Sequence, residues 1–148
     1  MKHVYLLFFC SALLFTSCTK SIEDKLIGNW KLDDAYRKVL FGRDHFTTGY
    51  EAGVFTFEEN GNARYTSSTD TLTGYWRADY YPYRYYNSSS NSNESRTLRY
   101  LRLRLVNFQQ NRFIEWEFDD FNFRNSRRMI RAEQYSIGSD RVYEFVKQ

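Results

Sequence analysis

The stretch "TLRYLRLRLVNFQQNRFIEWEFDD", residues 97–120, decides the fold. Leu101, Leu103 and Leu105 alternate with Arg102 and Arg104; after a turn at Gln110 and Asn111, Ile114, Trp116 and Phe118 alternate with Glu115, Glu117 and Asp119. Period-two alternation of this kind marks half-buried strands, and the pair reads as an antiparallel hairpin. A two-residue turn sets Leu105 against Trp116 and Leu103 against Phe118, with Arg104 facing Glu117 and Arg102 facing Asp119 on the other side. A one-residue slip would set leucines against carboxylates, so burial fixes the parity. The charges then form a solvated sheet face, not a catalytic constellation.

The same pattern extends outward in both directions. "NWKLDDAYRKVL" reads as a first strand with a bulge at Asp33 and Asp34; "GVFTFEENGNARYTSS" as a hairpin turning at "ENGN"; "TLTGYWRA" as a fourth strand. "RRMIRAEQYSI" and "RVYEFVK", joined by "GSD", complete the set. Helical signal is confined to "SIEDKLIG", residues 21–28, with Ser21 as N-cap, Glu23 and Asp24 in the first turn and Gly28 as the stop. Thirteen Phe, thirteen Tyr and three Trp in 148 residues favour pleated, half-buried surfaces. The expectation is an all-β domain of about eight antiparallel strands closing into an up-and-down barrel, which removes its edges, preceded by a short helix.

The amino terminus carries the compartment. Lys2 and His3 precede an uncharged apolar run over residues 4–15 and the small residues Thr16 and Ser17. A positive start, a short apolar stretch and a small-residue cleavage site mark a secretory signal peptide; twelve apolar residues are too few for an ordinary transmembrane helix. Cleavage after residue 17 leaves 131 residues, one domain's worth, with the net charge falling from +3 to +2 on loss of Lys2. The near-neutral balance argues for neither nucleic acid nor an acidic surface as partner.

"FTSC", residues 15–18, resembles the lipobox of bacterial lipoproteins, with Phe15 where leucine is commonest. The resemblance implies lipidation of Cys18, a tether over residues 18–21 and a domain over residues 22–148. Cys10 would leave with the signal peptide, so no thiol remains for a disulfide or a cysteine zinc site. Thr19 rather than Asp after the cysteine favours the bacterial outer membrane, on its periplasmic or surface face. "KSIED" resembles, faintly, the export tag of surface lipoproteins of the Bacteroidetes, and "DTL", residues 70–72, their O-glycosylation acceptor at Thr71.

"LIGNWKL", residues 26–32, resembles the start of lipocalin-like domains, in which a short helix runs into Gly-x-Trp at the first strand; "FTFEENGNARY", residues 55–65, is similar to their second hairpin. The resemblance implies that Gly28 allows the turn into the barrel, that Trp30 packs across its closed end, and that a small apolar or amphipathic ligand enters the open end. The candidate ligand-binding residues are Trp30, Phe55, Phe57, Tyr75, Trp116 and Phe118; equally, these rings could pack the interior solid. The second candidate is "DYYPYRYYNSSSNSNESR", residues 79–96, read as a long loop presenting Tyr80, Tyr81, Tyr83, Tyr85 and Tyr86 to a glycan or an envelope protein. Tyrosine offers a broad apolar face and a hydroxyl at low entropic cost. No enzyme is expected: after the signal peptide His45 is the sole histidine, with no nucleophile motif beside it, and the chain has no phosphate loop, nucleotide fingerprint, metal-ligand set or cofactor motif.

Overall fold

The computed structural model describes residues 21–148, so the signal peptide, Cys18 and most of the tether lie outside the described residues. Helix α1 (Ile22–Leu26) begins at a capping box: the Ser21 hydroxyl accepts from the Asp24 N–H, and the Asp24 carboxylate accepts the Ser21 N–H. Two of the helix's orphan donors are thereby satisfied, and its buried residues are Ile22 and Leu26. Gly28 follows at φ +126°, a conformation L side chains rarely adopt, and turns the chain into the sheet.

Ten strands follow, all antiparallel: β1 (Gly28–Val39), β2 (Gly42–His45), β3 (Val54–Phe57), β4 (Asn62–Thr66), β5 (Thr71–Asn87), β6 (Ser92–Asn107), β7 (Arg112–Phe118), β8 (Asp120–Arg124), β9 (Met129–Gln134) and β10 (Arg141–Lys147). They form one sheet in the order β7-β6-β5-β4-β3-β1-β10-β9-β8, with β2 paired to β1. Residues from almost every strand meet in a single core, including Trp30, Phe55, Leu72, Leu103, Phe118, Phe121, Ile130 and Phe145. A flat sheet could not bring its opposite ends to one cluster, so the sheet curls around its inward face. The first strand carries the expected bulge, a register shift against β10 between Leu32 and Asp34.

The structure departs from the expected closed barrel of eight strands. Strand β2 arises because β1 folds back through a turn at Leu40 and Phe41, with Gly42, at φ +106°, pairing with Val39. Strand β8 arises because the segment after Trp116 bends at Asp119: Phe118 still pairs with Leu101 on β6, whereas Asp120 pairs with Glu133 on β9. Among the described residues no ladder joins the two ends of the sheet. They are bridged by the chain itself and by local bonds: the Arg99 N–H donates to Asp120 Oδ1 (3.0 Å), and Gln134 Nε2 to the Glu117 carbonyl (3.0 Å).

The β6–β7 register keeps the expected parity but is displaced by two residues. Leu105 faces Ile114, Leu103 faces Trp116 and Leu101 faces Phe118; Arg104 meets Glu115 and Arg102 meets Glu117. The reason is the turn. Asn107 pairs with Arg112, so four residues intervene, with Asn111 left-handed at φ 51° and the Asn107 side chain accepting the Gln110 N–H. A shift of two preserves which face is apolar, so alternation alone cannot detect it.

Gly74 marks the tightest point of the sheet. It pairs with Leu105, and a Cβ there would strike the Arg104 carbonyl and crowd the Leu105 Cα, both backbone and unable to swing aside. Gly74→Ala should therefore destabilise the protein by about 1–3 kcal/mol, the usual cost of overpacking. The expected result is a lower urea midpoint with an unchanged slope; an unchanged midpoint would show that the two strands can separate locally at no cost.

Candidate functional site

Five of the six rings expected to line a ligand site point inward. Trp30, Phe55, Phe57 and Phe118 are buried, and Trp116 keeps partial exposure. Tyr75 does not join them: it pairs with Arg104 on the solvent face and is 45% exposed, which corrects its expected place inside. Odd-numbered β5 residues in this region face outward, because Leu72, Trp76 and Ala78 supply the buried face.

The inward rings form two groups. At the helix end, the Trp30 Nε1–H donates to the Leu26 carbonyl (2.6 Å), Lys147 Nζ lies 5.2 Å from the Trp30 ring, and Phe123 packs beside it. Phe57 lies against Trp76, whose Nε1–H donates to the Glu58 carbonyl. The second group centres on Trp116, with Phe55 at 5.6 Å, Phe118 at 6.0 Å, Tyr143 at 5.3 Å and Phe145 at 6.3 Å between ring centroids. Tilted and edge-on pairs at these distances are favourable beyond the area they bury. The rings thus occupy the interior of the curled sheet themselves.

A segment that sequence reasoning left unassigned covers Trp116. Strand β1 pairs with β3 at residues 28–30 and with β2 at residues 36–39, and residues 46–53 run between those pairings. Tyr50 sets its ring edge-on to both Trp116 (5.7 Å) and Tyr65 (5.2 Å), and its hydroxyl donates to the Phe113 carbonyl. Arg112 lies over the Tyr50 ring and pairs with Asp70, the sole buried polar or charged residue among those described; Asn107 donates to the other Asp70 oxygen. The Asp70 of the "DTL" motif is therefore a structural pin, while Thr71 beside it is exposed. His45 stays on the surface, its Nδ1 2.8 Å from Asp34. Among the described residues no three His, Cys, Asp or Glu converge as a metal site.

The tyrosine-rich segment is not a loop, as expected, but a paired arm. The ladder between β5 and β6 continues from Asp79–Tyr100 to Asn87–Ser92, and only four residues make the turn. Pro82 interrupts one donor without ending the pairing. Tyr81, Tyr83 and Tyr85 share one face, Tyr80 and Tyr86 the other. Tyr81 is half-buried and its hydroxyl donates to the Asp119 carbonyl; burial, then Asp119 and Asp120, hold its phenol above the ordinary value. Farther out, Tyr83 and Tyr85 stack nearly parallel at 6.0 Å, with Arg96 over Tyr83. Glu94 accepts from Tyr85 (2.8 Å), Asn87 (2.6 Å) and Ser90 (2.7 Å), and these bonds hold its carboxyl below the usual range. Tyr80, Tyr83, Tyr85 and Tyr86 remain 53, 43, 36 and 61% exposed. The result is a firm strip of aromatic faces edged by hydrogen-bonding groups.

No family model, curated protein or solved structure matches this chain.

The segment over Trp116 carries a titratable latch. Burial alone would raise the Glu51 carboxyl, but backbone N–H groups, those of Thr48 and Gly49 among them, donate to it and hold it below its ordinary 4.5. A carboxyl depressed in the folded state stabilises that state above its unfolded value and loses the contribution as pH falls through the folded value. Acidification below about 4.5 should therefore loosen residues 46–53, seen as a change in Trp116 fluorescence. The change should be absent in Trp116→Phe and flattened in Glu51→Gln; a Glu51→Gln profile identical to the parent would refute the latch.

Proposed function

We propose that the protein is a cell-envelope lipoprotein, anchored through Cys18 in the bacterial outer membrane, whose curled sheet is a lipocalin-like barrel acting as a non-enzymatic binding module. Its binding element is the tyrosine arm, and its partner is an envelope glycan. The observation that carries this reading is the stacked, exposed Tyr83–Tyr85 pair on an arm that contributes no ring to the main core. Large apolar faces held out in water serve recognition better than folding, and Glu94, Asn87 and Arg96 supply the polar rim that sugar hydroxyls require.

Tyr83→Ser with Tyr85→Ser should weaken binding of envelope oligosaccharide by at least about ten-fold, or ~1.4 kcal/mol, while leaving the thermal midpoint close to the parent's. Tyrosine fluorescence during an oligosaccharide titration reads the first, and calorimetry the second. Unchanged glycan affinity would sink the glycan assignment, and cross-linking through Tyr86 to an envelope protein would transfer the arm to a protein partner. For the anchor, Cys18→Ser should release the protein from the membrane fraction; retention there would remove the lipoprotein reading.

A second reading, a small apolar ligand inside the barrel, draws support from the partial exposure of Trp116 beneath Tyr50. Such a ligand would have to displace the segment over residues 46–53, because the rings below it already fill the interior. Native mass spectrometry separates the readings: a discrete added mass lost on denaturation supports the cavity, and a clean apo mass supports the arm.

A further inference from the structure

Where the arm leaves the body of the protein, a cleft of about 350 Å³ opens between α1, the base of the arm and the β8–β9 turn. Its walls carry Lys25, Arg99, Arg124 and Arg127, together with the Tyr80 ring and Ser126. Among the described residues none of these four cations forms an ion pair, although nine pairs occur elsewhere. The nearby acids are otherwise engaged. Asp24 closes the capping box with Ser21, and Glu23 lines a separate cleft beside Glu59 and Trp76. Asp120 accepts the Arg99 backbone N–H and the Asn122 amide. The Arg99 guanidinium is held by Asn122 Oδ1 at 2.7 Å, a neutral partner that orients it and leaves its charge uncompensated.

The turn that supplies the far wall is also unusual. Asn125, Ser126 and Arg127 adopt φ values of 48°, 53° and 71°, three successive left-handed residues without a glycine. Asn tolerates this conformation, but Ser and Arg adopt it seldom, and strain of this kind concentrates where a side chain must be held in place. A chain of near-neutral charge thus gathers four unpaired cations in one concavity. Arg and Lys on converging walls suit a phosphoryl group, whose oxygens accept several charge-assisted bonds at once.

We propose that this cleft binds the phosphoryl group of an anionic lipid headgroup in the leaflet that carries the anchor. The choice of a lipid over a free anion rests on the lipoprotein reading above. Cys18 lies three residues before Ser21, and an extended chain spans at most about 3.6 Å per residue. The lipidated residue would then hold Ser21, the N-cap of α1, within roughly 11 Å of it, with Lys25 about one helical turn further along. Each basic group near an anionic surface adds to the attraction.

The full chain, ¹⁵N-labelled in neutral detergent micelles, is titrated with dioctanoyl phosphatidylglycerol, inorganic phosphate and, for comparison, dioctanoyl phosphatidylcholine, following the arginine Nε–Hε signals. Expected are saturable, salt-sensitive shifts at Arg99, Arg124 and Arg127 with phosphatidylglycerol, weakened at least about ten-fold in Arg99→Gln with Arg127→Gln, whose remaining spectrum keeps the parent's fold. No shift with phosphatidylglycerol, an equal response to phosphatidylcholine, or an unaffected double variant overturns the site. Saturation by inorganic phosphate alone overturns the lipid assignment. Because the titration reads the cleft whether or not Cys18 is acylated, its failure is distinct from failure of the anchor, which membrane fractionation reports.

Discussion

The convergence of rings on Trp116 is the contact on which the rest of the structure depends. Trp116 comes from one end of the strand order; Phe55 and Phe145 come from near its middle, on either side of β1. Bringing them within 7 Å of one another forces the sheet to curl, and the curl then sets everything else: which face of β5 is buried, where β7 must bend at Asp119, and why the two ends of the sheet come together. Rings burying 150–250 Å² each supply the closure that shorter apolar side chains could not.

Across the middle of the curled sheet, Trp116 meets Phe55, Phe118 and Phe145 ring to ring. The apolar pattern ends before the strands do. On β5 the buried series Leu72, Trp76, Ala78 stops at Tyr80, yet pairing with β6 continues for seven further residues to Asn87. Beyond that point the hairpin is held by its own ladder and by the bonds gathered at Glu94. The aromatic residues therefore fall into two classes: rings at the inward parity of the body are buried, and Tyr80, Tyr83, Tyr85 and Tyr86 on the arm stay exposed.

Much of the architecture was legible in the residues because it rests on local chemistry. Period-two alternation identified the antiparallel class and the buried face of β6 and β7, and Ser21, Asp24 and Gly28 announced the helix and its ends. What escaped rests on features that alternation does not encode. The β6–β7 register moved by two because Asn111 itself takes a left-handed conformation in a four-residue connection. The tyrosine segment read as a loop because Pro82 and the Ser/Asn tract resemble linker composition, while cross-strand partners such as Tyr85 and Glu94 become visible only once the register is known. Tyr75, expected among the ligand-binding rings, faces solvent because its parity is opposite to that of Trp76 and Ala78. Residues 46–53 carried no periodic signal, and their role over Trp116 follows from the gap between the two pairings of β1, a tertiary fact. The cationic cleft was equally hidden: Lys25, Arg99, Arg124 and Arg127 are scattered over a hundred residues and meet only because the β8–β9 turn folds back toward α1.

The cleft and the arm are not independent surfaces. Tyr80 lines the cleft and is also the first exposed tyrosine of the arm, so one strand carries both. From Tyr80 to Asn87 the arm extends about 23 Å at 3.3 Å per residue, starting level with α1, the element nearest Cys18 in the chain. On the proposed anchor Ser21 stays within about 11 Å of Cys18, and an arm lying along the leaflet would bring both surfaces to the headgroups. The exposed tyrosine faces would then sit at the depth where amphipathic rings are most comfortable, between apolar and aqueous surroundings. A headgroup bearing both phosphate and sugar would meet the two surfaces at once, its phosphoryl oxygens among the unpaired cations and its sugar rings against Tyr83 and Tyr85. The lipid anchor would in that case do more than localise the protein. By holding the cleft at headgroup height it would raise the effective concentration of the ligand for the arm, so that individually weak stacking contacts could suffice.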